Sequence, residues 1–326
     1  MRLSRFLIVL LALGAGLAIY RAASPYQGFQ GEVFVEIPRG TGARGIAERL
    51  AGAGVVRGEW DFLAVRLARG GRTLQAGEYR FNKPATPREV FDRIARGDIF
   101  YLELLVPEGK NIFDIAAAAE HLGAMKAADF LAAARDPGLI RDLDPRAPTL
   151  EGYLFPGTYR LNRHTTPERL CRLMTAKFRD VWEKLNPGAN VHDTITLASL
   201  VEKESKLAEE RPAIASVFTN RLRIGMKLDC DPTTIYAALL DRHYHGTILR
   251  ADLDSGNPYN TYRHAGLPPG PIANPGMASI RAALNPSDSD ALYFVLRPDG
   301  SGGHQFSSTI AAHGTAVQEY RRSIHR

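Results

Sequence analysis

An internal repeat constrains this chain more than any other feature. Residues 33–38, VFVEIP, read as a short strand, and the helical stretch GARGIAERLAGAG that follows Arg39-Gly40 ends on Gly54, as a helix C-terminus does. A second amphipathic stretch, WDFLAVRLARGG, leads to the strand AGEYRF (76–81) and to the helix TPREVFDRIARG, opened by Pro87 in its first turn. The same order returns as LELLVPEG (102–109), NIFDIAAAAEHLG, ADFLAAARDPG, PGTYRL (156–161) and TPERLCRLMTAKF. Pro38 matches Pro107 at an offset of 69 residues, whereas Tyr79 matches Tyr159 and Pro87 matches Pro167 at 80. One β-α-α-β-α unit is therefore duplicated, with about eleven extra residues ahead of the second copy's returning strand. At 326 residues the chain has room for this pair and a further domain.

Ahead of the repeat, Phe6 to Tyr20 is a run of fifteen uncharged, nearly all apolar residues between Arg5 and Arg21. It falls a little short of the ~20 residues that span a hydrocarbon core, a mismatch that snorkelling arginines and local thinning absorb. A cleaved signal peptide is the competing reading. Arg21 sits badly beside a cleavage site at Ala22 or Ala23, although Gly16-Leu17-Ala18 is a permissible small-x-small site. The expectation carried forward is an uncleaved single-pass anchor, with Arg2 and Arg5 cytoplasmic and everything after Ala22 exported.

The formal net charge of +6, from 41 basic and 35 acidic residues, hints at a nucleic-acid or membrane partner. From Asp193 to Arg326, however, the two signs balance at 14 each. The excess lies in the first 192 residues, half of it in Arg2, Arg5 and Arg21 and the rest spread without a Lys/Arg run, so no nucleic-acid partner is expected. Cys171 and Cys230 fit no CxxC or zinc spacing and read as small buried apolar groups, whose pairing the sequence does not specify.

The carboxyl-terminal half carries the candidate chemistry. DTITLASLVEKESKLAEE predicts a helix starting at Asp193, on which Glu204 lies within about 60° of Leu197, Leu200 and Val201. Glu202 sits about 140° from Leu197, although it shares a side with Ile195 in the first turn. A carboxyl group on an apolar face is desolvated, which raises its pKa and lets it hold a proton as a general acid must. Geometry alone leaves open a Glu204 paired with an arginine at the helix rim. Pro212 restarts a helix, PAIASVFTNRLRIG, with Arg221 as an inward cation, and in LDCDPTTIYAALL Asp231 is expected to cap a helix beginning with Pro232. The Pro- and Gly-rich stretch from Ser255 to Gly276 holds Tyr259, Asn260, Tyr262 and His264, the ring and amide types that grip sugars. Asn274-Pro275 opens the helix GMASIRAALN, and ALYFVLR turns into GGHQFSS, a hairpin presenting His304.

These segments carry two resemblances. The first repeat copy resembles a LysM-like module, a small unit that in other proteins grips N-acetylglucosamine polymers, with a plain scaffold as the alternative. ASLVEKES, ASVFTNRLRIGMKLDCDPT, YNTYRHAGLPPGPIANPG and GGHQFSS are similar to the endolytic murein transglycosylases of the MltG, or YceG-like, family. That resemblance implies an α+β fold: an N-terminal transmembrane helix, a duplicated LysM-like β-α-α-β-type region and an α+β catalytic domain. The expected boundaries are 1–25 for the anchor and its flanks, 30–100 for the LysM-like module, 101–185 for the second copy and 186–326 for catalysis. It implies Glu204, second glutamate of the Glu-Lys-Glu triplet, as catalytic residue, and Ser205, Asn220, Arg221, Asp231, Asn260, Tyr262, Leu267, Pro269 and His304 as substrate-binding. The implied reaction cuts the β-1,4 bond between N-acetylmuramic acid and N-acetylglucosamine in nascent peptidoglycan, leaving a 1,6-anhydro end, with no cofactor or metal. Implied too are a bacterial inner-membrane location with the catalytic part periplasmic, glycan strands as substrate and peptidoglycan synthases as further partners. Two other readings compete: a non-catalytic peptidoglycan-binding scaffold, and a metal-dependent hydrolase using His243, His245, His264, His304 or His313, of which only His243-x-His245 has ligand-like spacing.

Overall fold

The computed structural model of the chain describes residues 13, 14, 16, 20–185 and 188–324, so the apolar run expected to cross a membrane lies almost wholly outside the described residues. Among the described residues no helix is long and apolar enough to span a bilayer. They form an α+β fold of helices and three separate two-stranded antiparallel sheets. The chain divides into two compact units, Met1–Tyr101 and Leu102–Arg326.

In the first unit, β1 (Val33–Ile37) pairs antiparallel with β2 (Gly77–Phe81), Val33 opposite Phe81 and Ile37 opposite Gly77. Between them run α1 (Ala43–Gly52) and α2 (Glu59–Ala68), and α3 (Pro87–Arg96) follows. Helical spacing gathers Ile46, Ala47 and Leu50 from α1, Phe62 and Val65 from α2, and Val90, Phe91 and Ile94 from α3 around Tyr79 and Phe81. Each of the Val, Leu, Ile and Phe side chains among them contributes roughly 1.5–3 kcal/mol on burial, which outweighs any of the unit's surface ion pairs. A capping box starts α3: the Glu89 amide donates to Thr86 Oγ1 at 3.2 Å and the Thr86 amide to Glu89 Oε2 at 2.8 Å. The expectation of simple amphipathicity fails for α2. Its outward positions Trp60, Ala64, Leu67 and Ala68 are exposed and apolar as well.

The second unit opens by repeating the first. β3 (Leu102–Val106) pairs with β4 (Gly157–Leu161) in the matching register, Leu102 opposite Leu161 and Val106 opposite Gly157. The intervening helices are α4 (Ile112–His121) and α5 (Ala127–Arg135), and α6 (Pro167–Leu185) follows. Tyr79 and Tyr159 each donate their hydroxyl to the carbonyl four residues earlier, of Gln75 and of Phe155. Gly77 and Gly157 share positive φ values of 154° and 150° at the matched strand starts. The extra residues of the second copy fall between α5 and β4. Its core continues without a break from Leu104, Ile112 and Phe130 through Leu170, Met174 and Phe178 of α6 into α7 (Val191–Glu204), where Val191, Ile195 and Ala198 join it. The expected division at residue 185 thus runs through one continuous core.

Beyond α7 come α8 (Arg211–Arg223), α9 (Asp231–Leu240), the single turn α10 (Arg250–Leu253), α11 (Met277–Leu284), the hairpin β5 (Tyr293–Leu296) with β6 (His304–Ser307), and α12 (Ile310–Ile324). Three expected helix starts shift. α7 begins at Val191, because Asn190 Oδ1 accepts the Asp193 amide at 3.0 Å and is the cap. α9 is preceded by Cys230, so Asp231 is its first residue and not its cap. Gly276, not Asn274, stands before α11; a Cβ there would overlap the Glu108 carboxylate.

Candidate active site

α7 is buried on nearly every side from Thr194 to Val201, so its polar groups point into protein. Ser199 Oγ, for example, accepts the Ile272 amide at 3.1 Å and fixes the start of the Ile272–Gly276 loop against the helix. At its end the Glu-Lys-Glu triplet splays in three directions. Glu202 takes the Gly276 amide at 2.9 Å on one oxygen and Arg211 at 3.4 Å on the other. Lys203 Nζ donates to Gly109 O at 3.3 Å. Glu204 follows Leu197, Leu200 and Val201 toward the second apolar cluster of the unit, where Cys230 Sγ donates to its Oε1 at 3.2 Å.

Burial pushes the Glu204 carboxyl pKa up, and the Asp231 charge adds to that push; the thiol hydrogen bond and the charges of His304 and Arg221 act the other way, and burial prevails. The rim pairing left open by the sequence does not occur, since Arg211, the arginine at this helix end, binds Glu202. Of the two aspartates on either side of Cys230, Asp231 accepts the Tyr262 hydroxyl on Oδ1 at 2.6 Å, and Asp229 lies 4.0 Å from Arg221.

The candidate binding residues separate into two groups. Around Glu204 gather Cys230, Asp231 with its Tyr262 partner, Arg221 and His304. Arg221 is buried and clamps the approach to the site: Nη1 donates to Leu228 O at 2.6 Å, Nε to Leu292 O at 2.7 Å, and the guanidinium lies 5.4 Å from the Tyr293 ring centroid. Asp229, next after Leu228, has a φ of 46°, a left-handed conformation that a short polar residue tolerates. The second group faces its own backbone. Asn260 is wholly buried, donating to Asp252 O, Leu253 O and Ser255 O and accepting the Tyr262 amide, so it shapes the tyrosine loop and offers no free amide hydrogen. Asn220 likewise donates to Ser289 O and Ala291 O, and Ser205 Oγ to Leu207 O. Leu267 packs against the Glu204 cluster, and Pro269 is exposed on the same loop.

Sequence reasoning missed three supports. Cys230, read there as inert, is the one side chain hydrogen-bonded to Glu204 among the described residues; its signal was a position directly before Asp231 in the recognised motif. Glu210 stood at the end of the predicted helical run DTITLASLVEKESKLAEE with no role assigned, yet it is buried and takes the His304 backbone amide at 2.8 Å and Nδ1 at 2.8 Å. The 94-residue separation left no local signal. Asn274 is the third: its side chain accepts the Gly152 and Leu154 amides and donates to Lys110 O and Glu151 Oε1. Burial raises the Glu151 pKa to about 8, so that buried acid is protonated at neutral pH.

The histidines do not converge. His243 pairs with Asp252, His264 with Gly256 O and His304 with Glu210, while His313 stacks on Tyr293. Among the described residues no three His, Cys, Asp or Glu side chains are grouped to hold a metal ion. Cys171 and Cys230 are both free and buried.

This architecture, a duplicated hairpin-and-helix region followed by a domain with a desolvated glutamate at a helix end, has known counterparts. A profile of the YceG-like family matches residues 35–319. The endolytic murein transglycosylase of Bacillus subtilis (strain 168) is 34% identical over 309 residues, covering 88% of this chain and 84% of that protein. That of Streptococcus pneumoniae serotype 2 (strain D39) is 30% identical over 81% of this chain, which spans about half, 54%, of its length. A crystal structure of a yceG-like protein from Listeria monocytogenes superposes with a TM-score of 0.56 at 32% identity, covering 88% of this chain and 99% of that one. The chain belongs to the YceG-like family.

Proposed function

We propose that this chain is an endolytic peptidoglycan lytic transglycosylase in which Glu204 is the single acid–base group. The observation that carries the reading is Glu204 itself, a carboxyl group at the end of α7 whose pKa burial raises, with a thiol as its bonded partner. Protonated Glu204 donates its proton to the oxygen linking N-acetylmuramic acid to N-acetylglucosamine, and that bond breaks as positive charge develops at C1. The carboxylate then takes the proton of the muramyl 6-hydroxyl, whose oxygen bonds to C1. Both protons are accounted for: the leaving sugar gains one, the acid recovers one, and the product ends in a 1,6-anhydro ring. Asp231–Tyr262, Arg221 and His304 line the site as substrate-binding groups, with Arg221 and His304 favouring the Glu204 carboxylate after the first transfer. Ser205, Asn220, Asn260, Leu267 and Pro269 shape the walls.

The same reading makes Phe6 to Tyr20 a membrane anchor, with Arg2 and Arg5 on the cytoplasmic side and both units beyond the inner membrane, near nascent strands and the synthases that make them. The first unit is then a LysM-like module able to hold glycan. Mass spectrometry of glycan strands incubated with the purified protein tests the central claim. Anhydro-muramyl ends are expected, and Glu204→Gln should reduce their rate of formation roughly 10²–10⁴-fold, the usual weight of a general acid. Equal rates from both proteins would remove Glu204 from the catalytic role, and no anhydro ends from either would leave the scaffold reading.

A further inference from the structure

On α2 the outward stripe runs Trp60, Ala64, Leu67 and Ala68, positions i, i+4, i+7 and i+8 of one face, with no charge among them. Trp60 is 81% exposed and Leu67 86%, although the opposite face already buries Phe62 and Val65 in the core. An indole and a leucine side by side on a helix are what the headgroup–acyl boundary of a bilayer accommodates, the ring body among chains and its N–H at the polar level.

The residues that follow the apolar run in sequence are tied to this helix. Arg21 directly follows Phe6 to Tyr20, and its Nε and Nη2 each meet a carboxylate oxygen of Asp61 on α2 at 3.0 Å. Arg57, just before α2, donates to Ser24 O and Pro25 O at 3.4 Å and lies 4.9 Å over the Tyr26 ring. The segment leaving the run is thus strapped to this helix and is no free tether. Over 57–72, Arg57, Arg66, Arg69 and Arg72 outnumber Glu59 and Asp61, which suits a negatively charged surface.

We propose that the Trp60–Leu67 face of α2 rests in the headgroup–acyl boundary of an anionic phospholipid membrane, fixing the first unit against the bilayer that holds Phe6 to Tyr20. The inference rests on the anchor reading above. It is tested by reconstituting the full chain into phosphatidylglycerol-containing vesicles and taking the Trp60 emission as the difference between wild type and Trp60→Phe, Trp182 being the other, buried tryptophan. Expected are flotation with the vesicles, loss of Trp60 emission to lipids brominated near the headgroup end of the chain, and little loss to aqueous iodide. Leu67→Glu should restore quenching by iodide and weaken that by bromolipid. A floating chain whose Trp60 is open to iodide and untouched by bromolipid overturns the inference and leaves the anchor standing. Failure to float overturns both. Shielding from iodide without bromolipid quenching means that protein, such as a second copy of this chain, covers the face, and also overturns it.

Discussion

The thiol at Glu204 is a donor, and a donor to a carboxyl oxygen favours the charged form. Removing it in Cys230→Ala should raise the Glu204 pKa further, since burial and the Asp231 charge then act with less opposition. The limb of the pH–rate profile on which activity falls with rising pH should move to higher pH in Cys230→Ala and stay near its wild-type position in Cys230→Ser, which keeps a donor. Profiles of kcat/KM for the three proteins decide this, and coincident alkaline limbs would sink it. A second residue governs stability. The folded pKa of Glu151, about 8, lies above its ordinary value of 4.5, so the folded state binds more protons than the unfolded chain between those limits. Stability from this group is complete below about pH 4.5 and is lost as pH rises through about 8. Glu151→Gln should flatten that slope in urea titrations, at a cost of about 1–3 kcal/mol at neutral pH because its amide nitrogen faces one of two buried donors. At this scale helical phase favoured Glu204 over Glu202 while leaving a rim ion pair open, and the family motif then singled Glu204 out. Cys230 and Glu210 stayed hidden, because a contact made across 26 or 94 residues leaves no periodic trace in the sequence.

Among the elements, the loop from Ile272 to Gly276 shows how α7 is held. Ser199 grips one end, Glu202 the other, and Asn274 in between bonds to both the Gly152–Leu154 loop and Lys110 at the start of α4. Asn274→Ala would leave the Gly152 and Leu154 amides buried without partners, at a total cost of about 3 kcal/mol or more. A lower urea midpoint together with lost activity is the expected result; unchanged stability would show that the loop is held by something else. The hairpins and most helices could be read from alternation, proline starts and glycine ends. Helix starts slipped by one or two residues because Asn190, Cys230 and Gly276 compete with nearby Asp or Asn residues that resemble better caps. The outward face of α2 went unread for a different reason: with apolar residues on both sides, the pattern loses the contrast on which periodicity depends.

For the whole chain, each of the two units has its own core, one built on Tyr79, Phe62 and Phe91, the other running from Leu104 to Ile280 and on into the Glu204 cluster. Residues 102–326 should therefore fold alone and release anhydro ends from isolated glycan strands in a Glu204-dependent manner, while no longer floating with vesicles. A truncated chain that is soluble and folded by circular dichroism but inactive would show that the first unit takes part in turnover.

The duplication has left unequal halves. The extra residues between α5 and β4 contribute Asp144, which receives the Tyr153 hydroxyl at 2.5 Å and His192 Nδ1 at 2.7 Å, and Glu151, which receives the Ile112 amide and the Asn274 side chain. The longer connection of the second copy thus seats α4, α7 and the Asn274 loop, while the first copy has only a short connection at that point. The two copies are consequently no longer interchangeable: a foreign hairpin-and-helix module could replace the first with the Glu204 site untouched, whereas any replacement of the second would have to bring its own mortise for α7.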